Sequence, residues 1–336
     1  MSDASAFAHH VVLIDYAVEL APCGFEAEEL AKVGASWSVH RCQSSEEVVR
    51  VAADAEVVAV QTTTPWLTRE VLAQLPNCRC TIRAGAGYDS IDYAAASEMG
   101  IMVCNAPTYC TNEVADHAIS LLLGSIRHTV RLHNAVAADA SDRGLVVPNR
   151  RITGSTLGII GLGRIGSMVA RRMASWDLDI LAYDPYVDAD HAASLGVTLV
   201  DLETLLERSD FVTIHCLLTD ETYHLIGREE LRRAKPELIL VNTARGPVIE
   251  EAALIEALDA GRLWAVGLDV TETEPLPGDS PLFQYDRVTI TPHVAASSPQ
   301  SRVDLFRLVC EIASEAVQGR VPPWVVNPEV LEHRRA

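Results

Sequence analysis

Residues 156–184 read TLGIIGLGRIGSMVARRMASWDLDILAYD, the most informative segment of the chain. The apolar residues Thr156–Ile160 predict a strand, Gly161–Gly166 predict a glycine-rich turn, and a helix and a second strand ending at Asp184 follow. Strand, glycine turn, helix and strand in this order are typical of the first half of a doubly wound parallel sheet that binds a dinucleotide.

Each position of the turn has a physical task in binding a dinucleotide. Gly161 permits the tight turn, Gly163 lets the backbone approach a pyrophosphate, and Gly166 lets the helix lie close to the sheet. Arg164 and Ile165 open the helix, whose N-terminal N–H groups and positive dipole end attract phosphates. A glycine turn alone also serves simple packing, so the prediction depends on the whole unit being in register.

The second strand ends in an acid. Asp184 follows the glycine turn by roughly 20 residues, the spacing of the acid that binds the adenine ribose. Such a carboxylate accepts hydrogen bonds from both ribose hydroxyls and repels a 2′-phosphate, which favours NAD over NADP. The alternative is a helix-capping acid ahead of Pro185.

Short β-branched runs alternate with alanine-rich amphipathic stretches along nearly the whole chain, the pattern of βα units around parallel sheets. The predicted strands are Val11–Asp15, Val57–Gln61, Cys80–Arg83, Met102–Cys104, Thr156–Ile160, Asp179–Tyr183, Phe211–His215, Leu238–Asn242, Leu263–Asp269 and Val288–Ile290. The predicted fold class is α/β, with two doubly wound, Rossmann-like parallel-sheet domains.

The helices predict how the two domains share the chain. One long helix is predicted over Asn112–Val136, and a last helix begins after Pro299. Because the last helix comes after the second sheet is complete, we expect it to pack back on the first domain. The predicted domains are therefore residues 1–108 with 299–336, discontinuous and flavodoxin-like, and residues 109–298, the NAD-binding Rossmann domain.

Composition argues against several classes of protein. The chain carries 27 Lys and Arg against 46 Asp and Glu, and this net charge of −19 repels nucleic-acid phosphates and anionic membranes. Its eight cysteines contain no CxxC pair, so we expect free thiols and no metal site. Residues 1–10 lack the basic segment of a signal peptide, and no apolar run reaches the roughly 20 residues of a membrane span. We therefore expect a cytoplasmic protein.

Four polar residues follow apolar strands of the second sheet. Arg245 comes after LILVNTA, Asp269 ends LWAVGLD, Glu274 lies in TETEP, and His293 follows VTITP. Ligands bind outside the carboxyl ends of the strands in such sheets, so these residues are predicted to share one site. Taken singly, each also fits an ordinary role as a surface ion-pair former, a solvated acid or a buried histidine.

These residue types suit the oxidation of an alcohol beside a carboxylate. His293 supplies a base for the hydroxyl proton, Arg245 supplies a cation for the carboxylate, and a nicotinamide accepts the hydride. Glu274, bonded to the other imidazole nitrogen, would orient the ring and favour its protonated form. We therefore predict that Arg245, Glu274 and His293 are the catalytic residues.

The motifs GLGRIG, YDP, NTARG, LDVTETEP and TPH, in this order, resemble those of the D-isomer-specific 2-hydroxyacid dehydrogenases. The resemblance covers essentially the whole chain and implies the same three catalytic residues. It also implies that Asp269 lines the nicotinamide pocket and that the chain forms a homodimer through the long predicted helix. Further cofactor contacts implied by the resemblance are Cys216, Thr222, Thr243 and Ala244.

The resemblance also implies a substrate loop in the first domain. Such enzymes hold the substrate carboxylate with backbone N–H groups of a glycine-rich loop, here Arg83–Asp92. Glycines let the backbone approach an anion, and Ala86 and Gly87 are the expected contacts. A plain turn before the next helix is the alternative.

Within the family, VCNAP, YDPY and HCLLTDETYHLI are similar to the C-terminal-binding-protein branch of corepressors and their bacterial relatives. In that branch an arginine at the place of Arg83 meets the acid group of the substrate. Their pocket tryptophan, three residues after the catalytic histidine, is replaced by Ala296, which predicts a wider or more polar pocket. Thr62–Trp66 lacks the arginine of phosphoglycerate dehydrogenases, and Glu274 replaces the glutamine of formate dehydrogenases.

The sequence thus predicts an NAD-dependent oxidoreductase that interconverts a D-2-hydroxy acid and its 2-keto acid. Two lobes are expected to close over substrate and cofactor and exclude water. Two alternatives stay open: an NAD(H)-sensing scaffold of the corepressor type, and a dehydrogenase of a phosphonate-type hydroxy acid, which Arg83 with Arg245 would permit. The expected partners are a small 2-keto or 2-hydroxy acid and a second copy of the chain.

Overall fold

The computed structural model describes residues 7–138 and 149–335, apart from the side chain of Glu19. The chain forms two compact units: unit 1 contains the residues up to Cys110 and those from Ser297 onward, and unit 2 contains Thr111–Ala296. Residues 1–6, which belong to the segment predicted to lack a signal peptide, lie outside the described residues.

Unit 1 is built on one five-stranded parallel sheet in the order β2-β1-β3-β4-β5. Its first segment contains β1 (His9–Leu13), a 3-10 helix (Val18–Leu20), α1 (Glu26–Ala31), β2 (Ala35–Val39), α2 (Ser45–Ala52), β3 (Val57–Val60), α3 (Arg69–Leu72), β4 (Cys80–Arg83), α4 (Tyr93–Glu98) and β5 (Met102–Asn105). The strand order reverses between β1 and β3, so the loops after these two strands emerge side by side at one edge.

The fully buried strands of unit 1 are among those whose apolar sequences predict a strand. Every residue of β3, β4 and β5 is buried, as expected for parallel strands covered by helices on both faces. At the edge of the sheet, β2 has only Ala35 buried. Strand β2 was not predicted, because ASWSV lacks the continuous apolar run of an inner strand.

Unit 2 is built on a seven-stranded parallel sheet in the order β12-β11-β10-β9-β6-β7-β8. Its elements are α5 (Thr111–Arg127), α6 (Thr129–Ala137), β6 (Thr156–Ile160), α7 (Arg164–Met173), β7 (Asp179–Tyr183), α8 (Ala189–Ser194), β8 (Thr198–Leu199), α9 (Leu202–Arg208), β9 (Phe211–Ile214), α10 (Arg228–Arg233), β10 (Leu238–Asn242), α11 (Glu251–Asp259), β11 (Leu263–Leu268) and β12 (Val288–Ile290). Short 3-10 helices are Ala174–Trp176, Gly246–Val248 and Pro281–Gln284. The order reverses between β6 and β9, the place where doubly wound sheets bind ligands.

Two details of unit 2 differ from the prediction. The two-residue edge strand β8 was not predicted, because Thr198–Leu199 is too short to give a periodic signal. The single helix predicted over Asn112–Val136 is wrong, because His128 takes a left-handed φ of 50° and separates α5 from α6. The His128 side chain is buried, and its ring lies 5.5 Å from the ring of Trp264, which fixes the break.

The chain returns to unit 1 with α12 (Pro299–Val317) and a 3-10 helix (Pro328–Glu332). Ser298 Oγ caps α12 by accepting a hydrogen bond from Ser301 N at 2.9 Å. Two all-parallel sheets, with unit 1 assembled from two segments of chain, confirm the predicted fold class. Among the described residues, no helix combines the length and apolarity needed to cross a bilayer.

Candidate active site

The glycine turn between β6 and α7 has the shape that a pyrophosphate needs. Gly161 has a φ of +89°, and a Cβ there would lie 2.6 Å from Cys216 N. A Cβ on Gly166 would lie 2.1 Å from Gly161 O, so turn and helix pack with no room for a side chain. At Gly163 a Cβ would meet no described atom within 4 Å, which leaves the N-terminus of α7 open. These residues therefore fit the phosphates of a dinucleotide.

Asp184, which follows β7, is fixed beside this turn. Its Oδ2 accepts a hydrogen bond from Leu162 N at 2.8 Å, and its Oδ1 accepts one from Tyr186 N at 2.9 Å. Each oxygen keeps a second lone pair, so the carboxylate still has acceptors for ribose hydroxyls. The Tyr186 hydroxyl donates to Glu221 Oε2 at 2.5 Å and joins the loops after β7 and β9, a contact that the sequence analysis missed.

Two buried polar atoms lie at the carboxyl ends of β9 and β10. The Nδ1 of His215 and the Oγ1 of Thr243 have no hydrogen-bond partner within residues 7–138 and 149–335. Burial lowers the pKa of His215 to about 3, so the ring is neutral near pH 7. Unpaired buried polar atoms are rare, and a bound polar ligand at this edge would satisfy them. Thr243 is a predicted cofactor contact, whereas His215, which directly precedes Cys216, was not predicted.

The other predicted cofactor contacts follow the same strands. Cys216 is half-buried, and burial raises the pKa of its thiol to about 11. The Thr222 hydroxyl accepts a hydrogen bond from Thr219 N at 2.8 Å and donates one to Leu217 O at 2.5 Å, so it shapes its own loop. Ala244 N donates to Asn242 Oδ1 at 2.9 Å, directly after β10.

Arg245 stands at the carboxyl end of β10. Asn242 Nδ2 donates to Arg245 O at 2.8 Å, and Arg245 Nη1 donates to Ala244 O at 2.8 Å. The next residue, Gly246, has no room for a side chain, because a Cβ would lie 2.0 Å from the carbonyl carbon of Thr271. The loop of Arg245 therefore lies directly against the loop that carries Glu274.

Glu274 and His293 form the predicted pair. His293 Nδ1 and Glu274 Oε2 are 2.7 Å apart, and about a third of each side chain is exposed. Glu274 Oε1 also accepts a hydrogen bond from Thr271 N at 3.3 Å. His293 has a left-handed φ of 54°, and its backbone N–H donates to Asp269 O at 2.8 Å. The imidazole therefore has a fixed carboxylate partner and a fixed backbone.

The carboxylate of Asp269 is buried and bonds to the segment that follows His293. Its Oδ1 accepts hydrogen bonds from Thr291 Oγ1 at 2.5 Å and Val294 N at 3.0 Å, and its Oδ2 accepts one from Ala295 N at 2.9 Å. His117 Nε2, from α5, lies 3.5 Å from Oδ1. The side chain thus holds the loop of His293, and neither Thr291 nor His117 was predicted.

The predicted substrate loop lies in unit 1. Arg83 ends β4 with its side chain buried, and its Nη1 donates to Ala84 O at 2.7 Å. Asn105 Nδ2 donates to Ala86 O at 2.6 Å and so holds the loop against the end of β5. Ala86 and Gly87 are half-buried.

Within the described residues, the cysteines form no disulfide bond. All eight cysteines are thiols. No group of three His, Cys, Asp or Glu side chains within the described part of the chain is arranged to hold a metal ion.

Comparison with known proteins assigns the family. Residues 119–295 match the model of the D-isomer specific 2-hydroxyacid dehydrogenase, NAD binding domain. A glyoxylate reductase of Korarchaeum cryptofilum is 38% identical over 301 residues, which cover 89% of this chain and 90% of that protein. The chain belongs to the D-isomer specific 2-hydroxyacid dehydrogenases. It is therefore an oxidoreductase that binds NAD, which confirms the family and the cofactor predicted from the motifs.

Other members of the family set the range of similarity. A D-3-phosphoglycerate dehydrogenase of Mycobacterium tuberculosis is 42% identical over 280 residues, or 82% of this chain, and the chain spans 51% of its length. The structure of D-lactate dehydrogenase from Aquifex aeolicus, complexed with NAD and lactic acid, matches with a TM-score of 0.82 and 27% identity. That match covers 96% of this chain and 98% of the other. Membership of the C-terminal-binding-protein branch stays a prediction.

Proposed function

We propose that this dehydrogenase interconverts a D-2-hydroxy acid and its 2-keto acid, with His293 exchanging the hydroxyl proton, Glu274 orienting the imidazole and Arg245 anchoring the carboxylate. The 2.7 Å hydrogen bond between His293 Nδ1 and Glu274 Oε2 carries the proposal. It engages one ring nitrogen and leaves Nε2 to exchange a proton with substrate. The residues that fit the cofactor follow strands of the same sheet.

In the reducing direction, the nicotinamide supplies a hydride to C2 of the keto acid when it is bound. His293, as an imidazolium, gives its Nε2 proton to the carbonyl oxygen. The Glu274 carboxylate stabilises the charge that the ring carries before the transfer. Arg245 binds the substrate carboxylate with its planar, bidentate guanidinium.

The cofactor contacts proposed are the glycine turn with Arg164 and Ile165, then Asp184, Cys216, Thr222, Thr243, Ala244 and Asp269. The open space at Gly163 and the unpaired Thr243 Oγ1 among the described residues support this set. The position of Asp184 beside the turn supports a preference for NAD over NADP.

Unit 1 is proposed to supply Arg83, Ala86 and Gly87 for the acid group of the substrate. At the carboxyl edge of the same sheet, after β1 and two strands away from β4, Asp15 Oδ2 accepts hydrogen bonds from Thr62 Oγ1 at 2.8 Å and Trp66 Nε1 at 2.9 Å. A carboxylate there repels a phosphate group. We therefore propose an unphosphorylated keto acid rather than 3-phosphohydroxypyruvate.

The partner proposed is a second copy of the chain. Helix α6 contains no buried residue, and Val130 and Val136 are exposed on it. A dimer formed through α5 and α6 would cover these side chains, and sedimentation velocity would show it.

The reaction is tested with NADH, and in parallel NADPH, against a panel of keto acids that includes glyoxylate, pyruvate and phenylpyruvate. His293→Ala should lower kcat by about a hundredfold or more, because the proton donor is lost, while NADH binding persists. The exposed His333→Ala, which lies outside α5, α6 and the proposed site, is the matched control and should keep wild-type turnover. Tight NADH binding without turnover of any acid would favour the scaffold alternative, and an active His293→Ala would refute the histidine assignment.

A further inference from the structure

Unit 2 contains a second histidine–carboxylate pair that no step of the proposed reaction uses. His224 Nε2 and Glu272 Oε1 are 2.6 Å apart, with 32% and 31% of their side chains exposed. Glu272 stands two residues before Glu274, and His224 stands two residues after Thr222. The pair therefore joins the loop of a proposed cofactor contact to the loop of the proposed catalytic carboxylate.

A third loop meets the same pair. His224 N donates to Pro247 O at 2.8 Å, two residues after Arg245. A Cβ on Gly246 would lie 2.5 Å from Glu272 N, so the Arg245 loop also packs directly on the backbone of Glu272. Three loops thus converge on this hydrogen-bonded pair. They carry Arg245, Glu274 and Thr222.

Both members of the pair are held in place. His224 has a left-handed φ of 53°, which a non-glycine residue keeps only when its surroundings enforce it, and its ring stacks on Tyr223 at 4.0 Å. Glu272 Oε1 also accepts a hydrogen bond from Glu251 N at 3.3 Å, at the N-terminus of α11. The positive end of that helix favours a carboxylate at this position.

We propose that His224 and Glu272 are positioning residues, whose hydrogen bond keeps the loop of Glu274 in register with the loops of Arg245 and Thr222. The inference rests on the proposed function, because it assigns the pair a purpose in the reaction at His293. Small displacements of catalytic groups reduce turnover strongly, so a tether between their loops affects rate more than substrate affinity.

Two variants of His224 separate the hydrogen bond from the packing. His224→Phe keeps an aromatic ring for stacking on Tyr223 but cannot donate to Glu272. His224→Gln keeps an N–H donor near the position of Nε2. We expect His224→Phe to lower kcat by about tenfold or more with little change in KM, and His224→Gln to restore kcat to within about threefold of wild type.

Hydrogen exchange provides a readout that needs no substrate. The Thr271 amide, which donates to Glu274, should exchange faster in His224→Phe than in wild type or His224→Gln. The Thr204 amide, bonded to Asp201 in the N-cap of α9, should exchange equally in all three. If the Thr271 exchange rate is unchanged in His224→Phe, or if kcat is unchanged when the wild type is active, the positioning role of His224 and Glu272 is wrong. A wild type that reduces no acid while the exchange difference persists would instead count against the proposed function alone.

Discussion

The buried carboxylate of Asp269 illustrates how local donors decide the charge state of a side chain. Burial by itself raises the pKa of an aspartate, but the hydrogen bonds from His117, Thr291 and the amides of Val294 and Ala295 outweigh burial and lower the pKa of Asp269. The charged form is therefore part of the folded structure, and it holds the segment on which His293 stands.

Asp269→Asn should lower the free energy of unfolding by about 1–3 kcal/mol at pH 7, because the NH2 group of an amide cannot accept the hydrogen bonds that the carboxylate oxygen in its place accepts. The folded pKa lies below the reference value of 3.8, so the carboxylate stabilises fully above that pH and loses its effect as the pH falls through the folded pKa. The difference in unfolding free energy between Asp269→Asn and wild type should therefore become smaller as the pH falls. Denaturant titrations from pH 7 to pH 3 measure it, with the exposed Asp279→Asn as control. Equal stability at pH 7 would contradict this role.

At the level of elements, two glycines of the same turn have different tasks: Gly166 permits close packing, and Gly163 leaves room for a ligand. Gly163→Ala should keep the stability of the wild type to within about 1 kcal/mol, because its φ is −70° and no described atom lies within 4 Å of the added Cβ. The same methyl group would stand where we propose that the pyrophosphate binds, so NADH affinity should fall by about tenfold.

Gly166→Ala is the matched comparison for that variant. Its added Cβ would lie 2.1 Å from Gly161 O, so the turn and α7 must separate. We expect both the melting temperature and NADH binding to fall, as measured by thermal unfolding and fluorescence titration. If Gly163→Ala proved the less stable of the two, this division of tasks would be wrong.

Elements with a continuous apolar run or a fixed turn were predictable from sequence. The strand before Gly161 begins and ends at Thr156 and Ile160 in both prediction and structure. The edge strands β2 and β8 escaped because their sequences lack such a run. The break at His128 escaped because its cause, contact with the ring of Trp264, is distant in sequence.

In the candidate site, too, contacts between residues distant in sequence were not predictable. The placement of Arg245, Glu274 and His293 was predictable because each follows an apolar strand, at the edge where parallel sheets bind ligands. Thr291, His117 and the His224–Glu272 pair were not, because their importance comes from contacts between loops that only the folded unit brings together. Sequence thus indicated the groups proposed to contact ligands better than the groups that hold those side chains in place.

For the molecule as a whole, charge decides how fast an anionic substrate arrives. A net charge of −19 repels keto acids and dinucleotides at long range, and salt screens this repulsion over a Debye length of about 10 Å at 0.1 M. Between about 10 mM and 150 mM salt, kcat/KM should therefore rise by roughly two- to threefold, while kcat at saturation stays constant. Steady-state kinetics over a salt series measures this. A fall in kcat/KM would show that the positive field of the arginines prevails over the net charge.

Gly246 has a practical consequence for anyone who diversifies this enzyme toward other acids. With Thr271 carbonyl carbon only 2.0 Å from where a side chain would begin, every substitution at position 246 wedges two neighbouring loops apart. A mutational scan would mark the position as intolerant, although Gly246 is not among the proposed contacts of the coenzyme or of the substrate acid. Libraries for altered selectivity should hold it constant and vary Thr62 or Ala296 instead.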